Sequence, residues 1–283
     1  GVVGYYALTD PNTGAFSWGN LLSLQLYLPV LWQSILYSLI SAFICLLLGY
    51  PVAYYIAHCK VTTQKILYML VMLPMCMSFL LRTLAWVGLL QDTGIINNFL
   101  EAIGIGRLRL IRTPGAVVLG MVYNYLPYMI LPLYSIIVKI DHRLIEAAED
   151  LGCTPAKVFT KVILPLSVPG IVSGITMVFV PAVSTFYISK KLGGNTFSLI
   201  GDVIEMQFKS ANNYNLGAAL SMVLMVLIML PMWCNLLIRT YALMALLDNG
   251  GLVSSFLVSI GLPKLTFIGT DAAVILGMIY DFL

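Results

Sequence analysis

Apolar positions run along this chain in long blocks rather than at a helical or strand period. Five blocks, at about residues 28–57, 66–90, 115–140, 164–189 and 216–238, each exceed the roughly 20 apolar residues that cross a hydrocarbon core. A single segment in lipid satisfies its backbone hydrogen bonds internally only as a helix. Each block therefore predicts a membrane-spanning helix, although Gly49, Pro51, Pro74, Pro127, Pro132 and Pro181 lie inside them. The predicted class is all-α and polytopic. Residues 1–8 are apolar but too short to span, and read as the tail of a membrane helix whose start is absent.

Polar segments at 58–65, 91–114, 141–161 and 190–215 separate the blocks. Their alternation puts the first and third on one side of the membrane and the other two opposite. Lys and Arg are spread evenly over the two sides, with Arg82 counted at the end of its block beside the 91–114 segment, so charge bias leaves the absolute orientation open. Arg82 reads as snorkelling to the surface or forming a structural pair. Pro127 and Pro132 mark either a helix that bends between states or fixed packing kinks.

A repeat changes how the end of the chain is read. Residues 223–283 align without a gap on 66–126 at an offset of 157, with 27 of 61 positions identical, including MLPM at 72–75 and 229–232. The copy starts within the last block and stops mid-helix, so residues 239–283 are expected to be a partial duplicate outside a functional core at 1–238.

Composition agrees with a bilayer: 60% of the residues are hydrophobic and 10% charged, against about 25% charged in soluble domains. The net charge of +3, with no Lys or Arg before Lys60, supports no nucleic-acid surface. The five cysteines show no metal-ligand spacing, so no metal site is expected.

The segment 141–161 carries the most specific signal. It reads Glu146-Ala147-Ala148, three residues, Gly152, nine residues, then Val162-Ile163-Leu164-Pro165. Good helix formers up to Leu151, a glycine for a sharp turn, and Pro155 to open a second helix predict a helix-turn-helix outside the bilayer. Ala147 and Ala148 allow close approach, while Glu146, Glu149 and Asp150 offer charge to a basic surface. The pattern resembles the EAA loop of binding-protein-dependent ABC importer permeases, departing from it only at Val162, where isoleucine is usual. The resemblance implies a type I, MetI-like helical bundle with its first helix missing, in a bacterial plasma membrane. It also implies that the loop is cytoplasmic and that Glu146, Ala147, Ala148, Gly152, Leu164 and Pro165 couple it to ATPase subunits. ATP would be bound by that partner and no cofactor by this chain. A second permease and an extracytoplasmic substrate-binding protein are the other implied partners.

Further stretches at 48–57, 80–90, 120–134 and 179–194 resemble the spermidine/putrescine members of that family. Iron, sulfate and phosphonate importers share much of the pattern and stay open as alternatives. A polycation needs carboxylates and aromatic faces along its path. The acidic candidates are Asp92, Glu101, Asp202 and Glu205, the last two on one helical face. The aromatic candidates are Trp86, Tyr123, Tyr125, Tyr128 and Tyr187. Each also has a plainer reading, as a solvated loop acid or an interface anchor.

The chain has no phosphate-binding G-x-x-x-x-G-K-[ST], so energy must come from another subunit and the chain itself is not expected to be an enzyme. An intramembrane hydrolase lacks converging catalytic groups, since the only histidines are His58 and His142. A channel or secondary transporter would use buried charges in mid-span, which the five blocks essentially lack on this reading. A fragment inactive as it stands is the remaining alternative.

Overall fold

The computed structural model describes residues 2–9, 23–104, 106–194 and 197–247. Among these the chain is helical, with no strand. Contacts divide it into two units, Gly1–Ile228 and Met229–Leu283, and the first holds the packed helices and both polar ends. The duplicated segment beyond residue 247 lies outside the described residues.

A short helix α1 (Val2–Ala7) is followed by a 3-10 turn at Ser23–Tyr27 leading into α2 (Leu28–Ala57). Next come α3 (Val61–Met72), a 3-10 turn at Leu73–Cys76, α4 (Phe79–Leu90) and α5 (Ile95–Ala102). After them stand α6 (Pro114–Ile137), α7 (His142–Asp150) and α8 (Pro155–Val158). A π-helical turn at Phe159–Ile163 leads without a break into α9 (Leu164–Val183). A second π turn at Ser189–Gly193, α10 (Ile200–Lys209) and α11 (Tyr214–Leu247) complete the order.

Among the described residues four helical stretches are long and apolar enough to cross a membrane: Ser23–Ala57, Phe79–Ala102, Pro114–Ile137 and Pro155–Val183. The block at 66–90 departs from expectation, because it is not one helix. Pro74 lacks an N–H and tightens the chain into a 3-10 turn. Met77 (ψ 148°) and Ser78 (ψ 128°) are then extended before α4 begins. Pro127 and Pro132 leave α6 continuous, as Pro169 and Pro181 leave α9. α6 starts on a cap, the Thr113 hydroxyl accepting from the Ala116 N–H at 3.2 Å.

α2, α6 and α9 form the core. Gly49 of α2 and Gly174 of α9 both face Met129 of α6, and Gly170 faces Ile136. Membrane helices have no hydrophobic drive toward one another, so approach over small residues supplies their attraction. Apolar Met129, Leu133 and Val178 are fully buried there.

The relative sidedness agrees with expectation. At one end, Ala57, His58, Cys59, Ile140, Ile145 and Ile163 surround a cavity of about 350 Å³, bringing the 58–65 turn beside the 141–161 segment. At the other end the Arg112 N–H donates to the Leu192 carbonyl at 2.8 Å, joining the 91–114 and 190–215 segments. Arg82 does not snorkel. Its side chain is buried, 7% exposed, with Nε and Nη1 lacking any hydrogen-bond partner. A buried charge thus stands inside a segment expected to hold essentially none.

Candidate functional site

The 141–161 segment folds as expected, and its details explain why. Asp141 caps α7, its carboxylate accepting from the Arg143 N–H at 3.0 Å. The helix ends in a left-handed turn at Gly152, φ +79°, where the Gly152 N–H donates to the Glu149 carbonyl at 2.8 Å and the Cys153 N–H to the Ala148 carbonyl at 3.0 Å. No atom lies within 4 Å of the place a Cβ would occupy on Gly152. Glycine is needed there for its backbone conformation, not for space.

α7 buries none of its described side chains in the chain that carries it. Glu146 and Ala147 are exposed and Ala148 half-buried. Two apolar side chains join them on the surface, Leu144 at 49% and Leu151 at 87% exposure. Leu151 is not among the residues the sequence pattern singles out. The signal for it is an apolar side chain at the end of an otherwise polar helix, beside the turn glycine.

The second half of the segment is anchored. Val158 and Ile163 are buried, and Phe159 packs edge-on against Tyr50 at 5.5 Å and Tyr54 at 6.0 Å, both on α2. Tyr50 also shares a 2.9 Å hydrogen bond with the Ser167 hydroxyl of α9. Leu164 and Pro165 stand exposed at the first turn of α9. A push on α7 therefore reaches α9 along the chain and α2 through aromatic packing.

At the opposite end, Asp202 and Glu205 line one pocket of about 430 Å³ with Lys190, Phe197, Met206 and Lys209. α10 is seated there by the Ile200 N–H donating to the Ser34 hydroxyl at 2.7 Å. Asp202 caps α10, Oδ2 accepting from the Leu199 N–H at 2.8 Å. Its Oδ1 is buried without a hydrogen bond, the neighbouring Ser189 hydroxyl being committed to the Phe186 carbonyl at 3.0 Å. Burial pushes the Asp202 carboxyl up, against the Leu199 hydrogen bond. Glu205 pairs with Lys209 at 2.8 Å and Lys190 at 3.2 Å. The Lys209 hydrogen bond, ahead of those from Lys190, holds its carboxyl below the usual range.

The signs oppose on acidification. Asp202, held above the ordinary aspartate range, relieves a burial cost when it protonates. Glu205 protonates only below the ordinary glutamate range, about pH 4, and then releases both lysines. The protection factors of the 200–209 amides, with the intrinsic pH dependence of exchange divided out, are expected to rise slightly as Asp202 takes its proton and to fall once Glu205 takes its own. In Glu205→Gln the second phase disappears.

The aromatic candidates form separate pairs. Trp86 meets Tyr123 edge-on at 5.4 Å, and Tyr125 lies 6.3 Å from Tyr128. Tyr187 sits 6.1 Å from Phe79, with Lys191 Nζ 5.9 Å from its ring centre. None of them lines the pocket of Asp202 and Glu205. Glu101 is exposed and paired with Arg107 at 3.0 Å, and Asp92 shares a different pocket with Arg109 and Arg112. Among the described residues no group of His, Cys, Asp or Glu could hold a metal.

Comparison with known proteins adds a family to this geometry. Residues 46–241 match the family described as binding-protein-dependent transport system inner membrane component. The spermidine/putrescine transport system permease protein PotB of Haemophilus influenzae is 42% identical over 207 residues, covering 72% of each chain. PotB of Escherichia coli is 38% identical over 213 residues, 74% of this chain and 78% of that one. Among solved structures, a bacterial ABC transporter that imports the acidic polysaccharide alginate superposes with a TM-score of 0.61 at 17% identity, covering 83% of this chain and 87% of that one. An inward-facing MetNI methionine ABC transporter gives 0.55 at 17% identity, covering 75% and 94%. The fold is thus that of ABC importer permeases, and four apolar helices make the chain a multi-pass plasma-membrane protein. It belongs to the family of binding-protein-dependent transport system inner membrane components.

Proposed function

We propose that this chain is the permease subunit of an ATP-driven importer of polyamines, spermidine or putrescine, and that α7 is the element through which ATPase subunits drive it. The observation that carries this reading is the exposure of α7. A helix that offers Glu146, Ala147, Leu144 and Leu151 to solvent, while the turn behind it is anchored at Phe159, is built to seat on a separate protein. The ATPase subunits bind ATP, and this chain needs no cofactor and carries no ATPase site of its own. Closure of the ATPases presses on Glu146, Ala147, Ala148 and the Gly152 turn. The displacement passes through α8 and the π turn to Leu164 and Pro165 at the start of α9. A second permease completes the pore, and a substrate-binding protein delivers the polyamine at the opposite face.

The PotB relatives support the ligand class. On the path, Trp86 and Tyr123 offer ring faces to ammonium groups, with Tyr128 deeper on the same helix as Tyr123. Asp202 and Glu205 serve as the outer carboxylates, with Lys190 and Lys209 occupying Glu205 until a substrate ammonium displaces them.

The test is uptake of labelled spermidine by proteoliposomes holding the chain with its ATPase, second permease and binding protein. ATP-dependent uptake, reduced in a Trp86→Ala, Tyr123→Ala double variant, is the expected result. An assembled complex that hydrolyses ATP but ignores polyamines would reject the ligand. Leu151→Asp tests the docking surface separately. Burial of one leucine is worth about 2 kcal/mol, so ATPase capture in pull-down titrations is expected to weaken roughly thirtyfold, with no change in the permease's own melting.

A further inference from the structure

We propose that Arg82 is an electrostatic barrier that keeps small cations from leaking through the resting pore. The proposal rests on the permease reading above only in assuming that this chain borders a path across the membrane.

Arg82 lies in the first turns of α4, eight residues before Leu90, about 12 Å at the helical rise and so well inside the hydrophobic segment. Its side chain is 7% exposed, and Nε and Nη1 have no hydrogen-bond partner. Charged residues inside membrane segments are costly and are normally paired. Here no ion pair involves Arg82 among the described residues, and segments 28–57, 61–90, 114–137, 155–183 and 214–247 contain no Asp or Glu. An arginine keeps its charge even when buried. Among the described residues this positive charge thus has no ion-pair partner, where the dielectric constant is low and its field reaches furthest.

Two neighbours make this charge a barrier instead of a defect. The first is the break at Met77–Ser78. α4 starts there inside the segment, with no side-chain cap on its first turn, so the positive end of its dipole stands about one turn from Arg82. An arginine combined with the positive ends of broken helices is a known physical means of excluding cations from a membrane pore. The second is the aromatic pair. Trp86 follows Arg82 by four residues on the same face of α4 and contacts Tyr123. The ring faces that attract cations are thus followed, one turn deeper, by a charge that stops them. A joint at Met77–Ser78 also lets α4 shift, and Arg82 with it, when the pore opens.

The test is potassium efflux from proteoliposomes holding the assembled complex, without nucleotide and without binding protein, so a chain that carries some other solute still reports. Arg82→Met removes an unpaired charge for an apolar chain of similar length, an exchange that is neutral or stabilising when buried charges are replaced. Assembly at wild-type yield is expected, with potassium efflux at least tenfold faster than wild type. Arg82→Lys keeps the charge and is expected to stay tight. The proposal is overturned if assembled Arg82→Met is as tight as wild type, if Arg82→Lys leaks as much as Arg82→Met, or if Arg82→Met fails to assemble, which would make Arg82 a structural residue.

Discussion

Gly174→Leu is expected to abolish the folded state in detergent, with the loss of a monodisperse species and of a cooperative melt. A Cβ at this position would stand 2.6 Å from Met129 Sδ and 3.4 Å from the Met129 carbonyl oxygen. The methionine tip can yield to a methyl group, so Gly174→Ala is expected to lower the melting temperature only by several degrees. A leucine adds three more carbons in a gap bounded by α6 backbone. Met129 cannot retreat on the other side, because the Gly49 Cβ position of α2 is already 3.1 Å from Met129 Cγ. Extra methylenes forced into a packed core cost about 1–3 kcal/mol and more where they cannot be accommodated, and with α6 backbone on one side and the Gly49 approach on the other the cost reaches into the margin of a typical fold, about 5–15 kcal/mol. Gly88 on α4 is the control, since no atom lies within 4 Å of its Cβ position. Gly88→Leu is expected to melt with wild type. Equal melting of Gly174→Leu and wild type would mean that α2, α6 and α9 are not held by these close approaches.

Gly152→Val is expected to give the opposite phenotype, a protein that inserts and melts normally but does not transport. Nothing in the chain would clash with the new side chain. The cost is that of holding a β-branched residue at φ +79°, about 1–2 kcal/mol in a turn that supports no packing of its own. That strain is relieved by redirecting the turn, which moves Leu151 and the face of α7 carrying Glu146 and Ala147. Substrate-stimulated ATP hydrolysis is expected to fall more than tenfold. Gly152→Asn, which tolerates the left-handed region better, is expected to retain a substantial part. Loss of membrane insertion in Gly152→Val would instead make the turn a structural element.

Features that depend on nearby residues are the ones legible in the sequence. The boundaries of α2 coincide with its apolar block at 28–57, and α6 and α9 are close to theirs, because an uninterrupted apolar run in lipid has no alternative to a helix. The loop is legible for the same reason: the Asp141 cap, the Gly152 turn and Pro155 act within a few residues of themselves. The break at 77–78 is not, since Pro74 differs from Pro127 only in its surroundings. Pro127 is buried in the core of α6, while the chain around Pro74 has no buried side chain. Arg82 departs from both of its expected readings, a place at the surface or a structural pair, because an apolar window reports the length of a segment and not which side its polar member faces. The two π turns leave no trace in composition. Asp202 and Glu205 share a pocket as their spacing implies, but the 15-residue reach from Lys190 to Glu205 depends on how the Ser189–Gly193 turn folds back.

The most direct test of the coupling claim is ATP hydrolysis by the complete complex in liposomes, measured with and without a spermidine-loaded binding protein, for wild type and a Glu146→Ala, Gly152→Val double variant. Stimulation in wild type, and its loss in a double variant that still assembles with the ATPase, is the predicted result. Equal stimulation in both would show that α7 does not transmit the ATPase cycle.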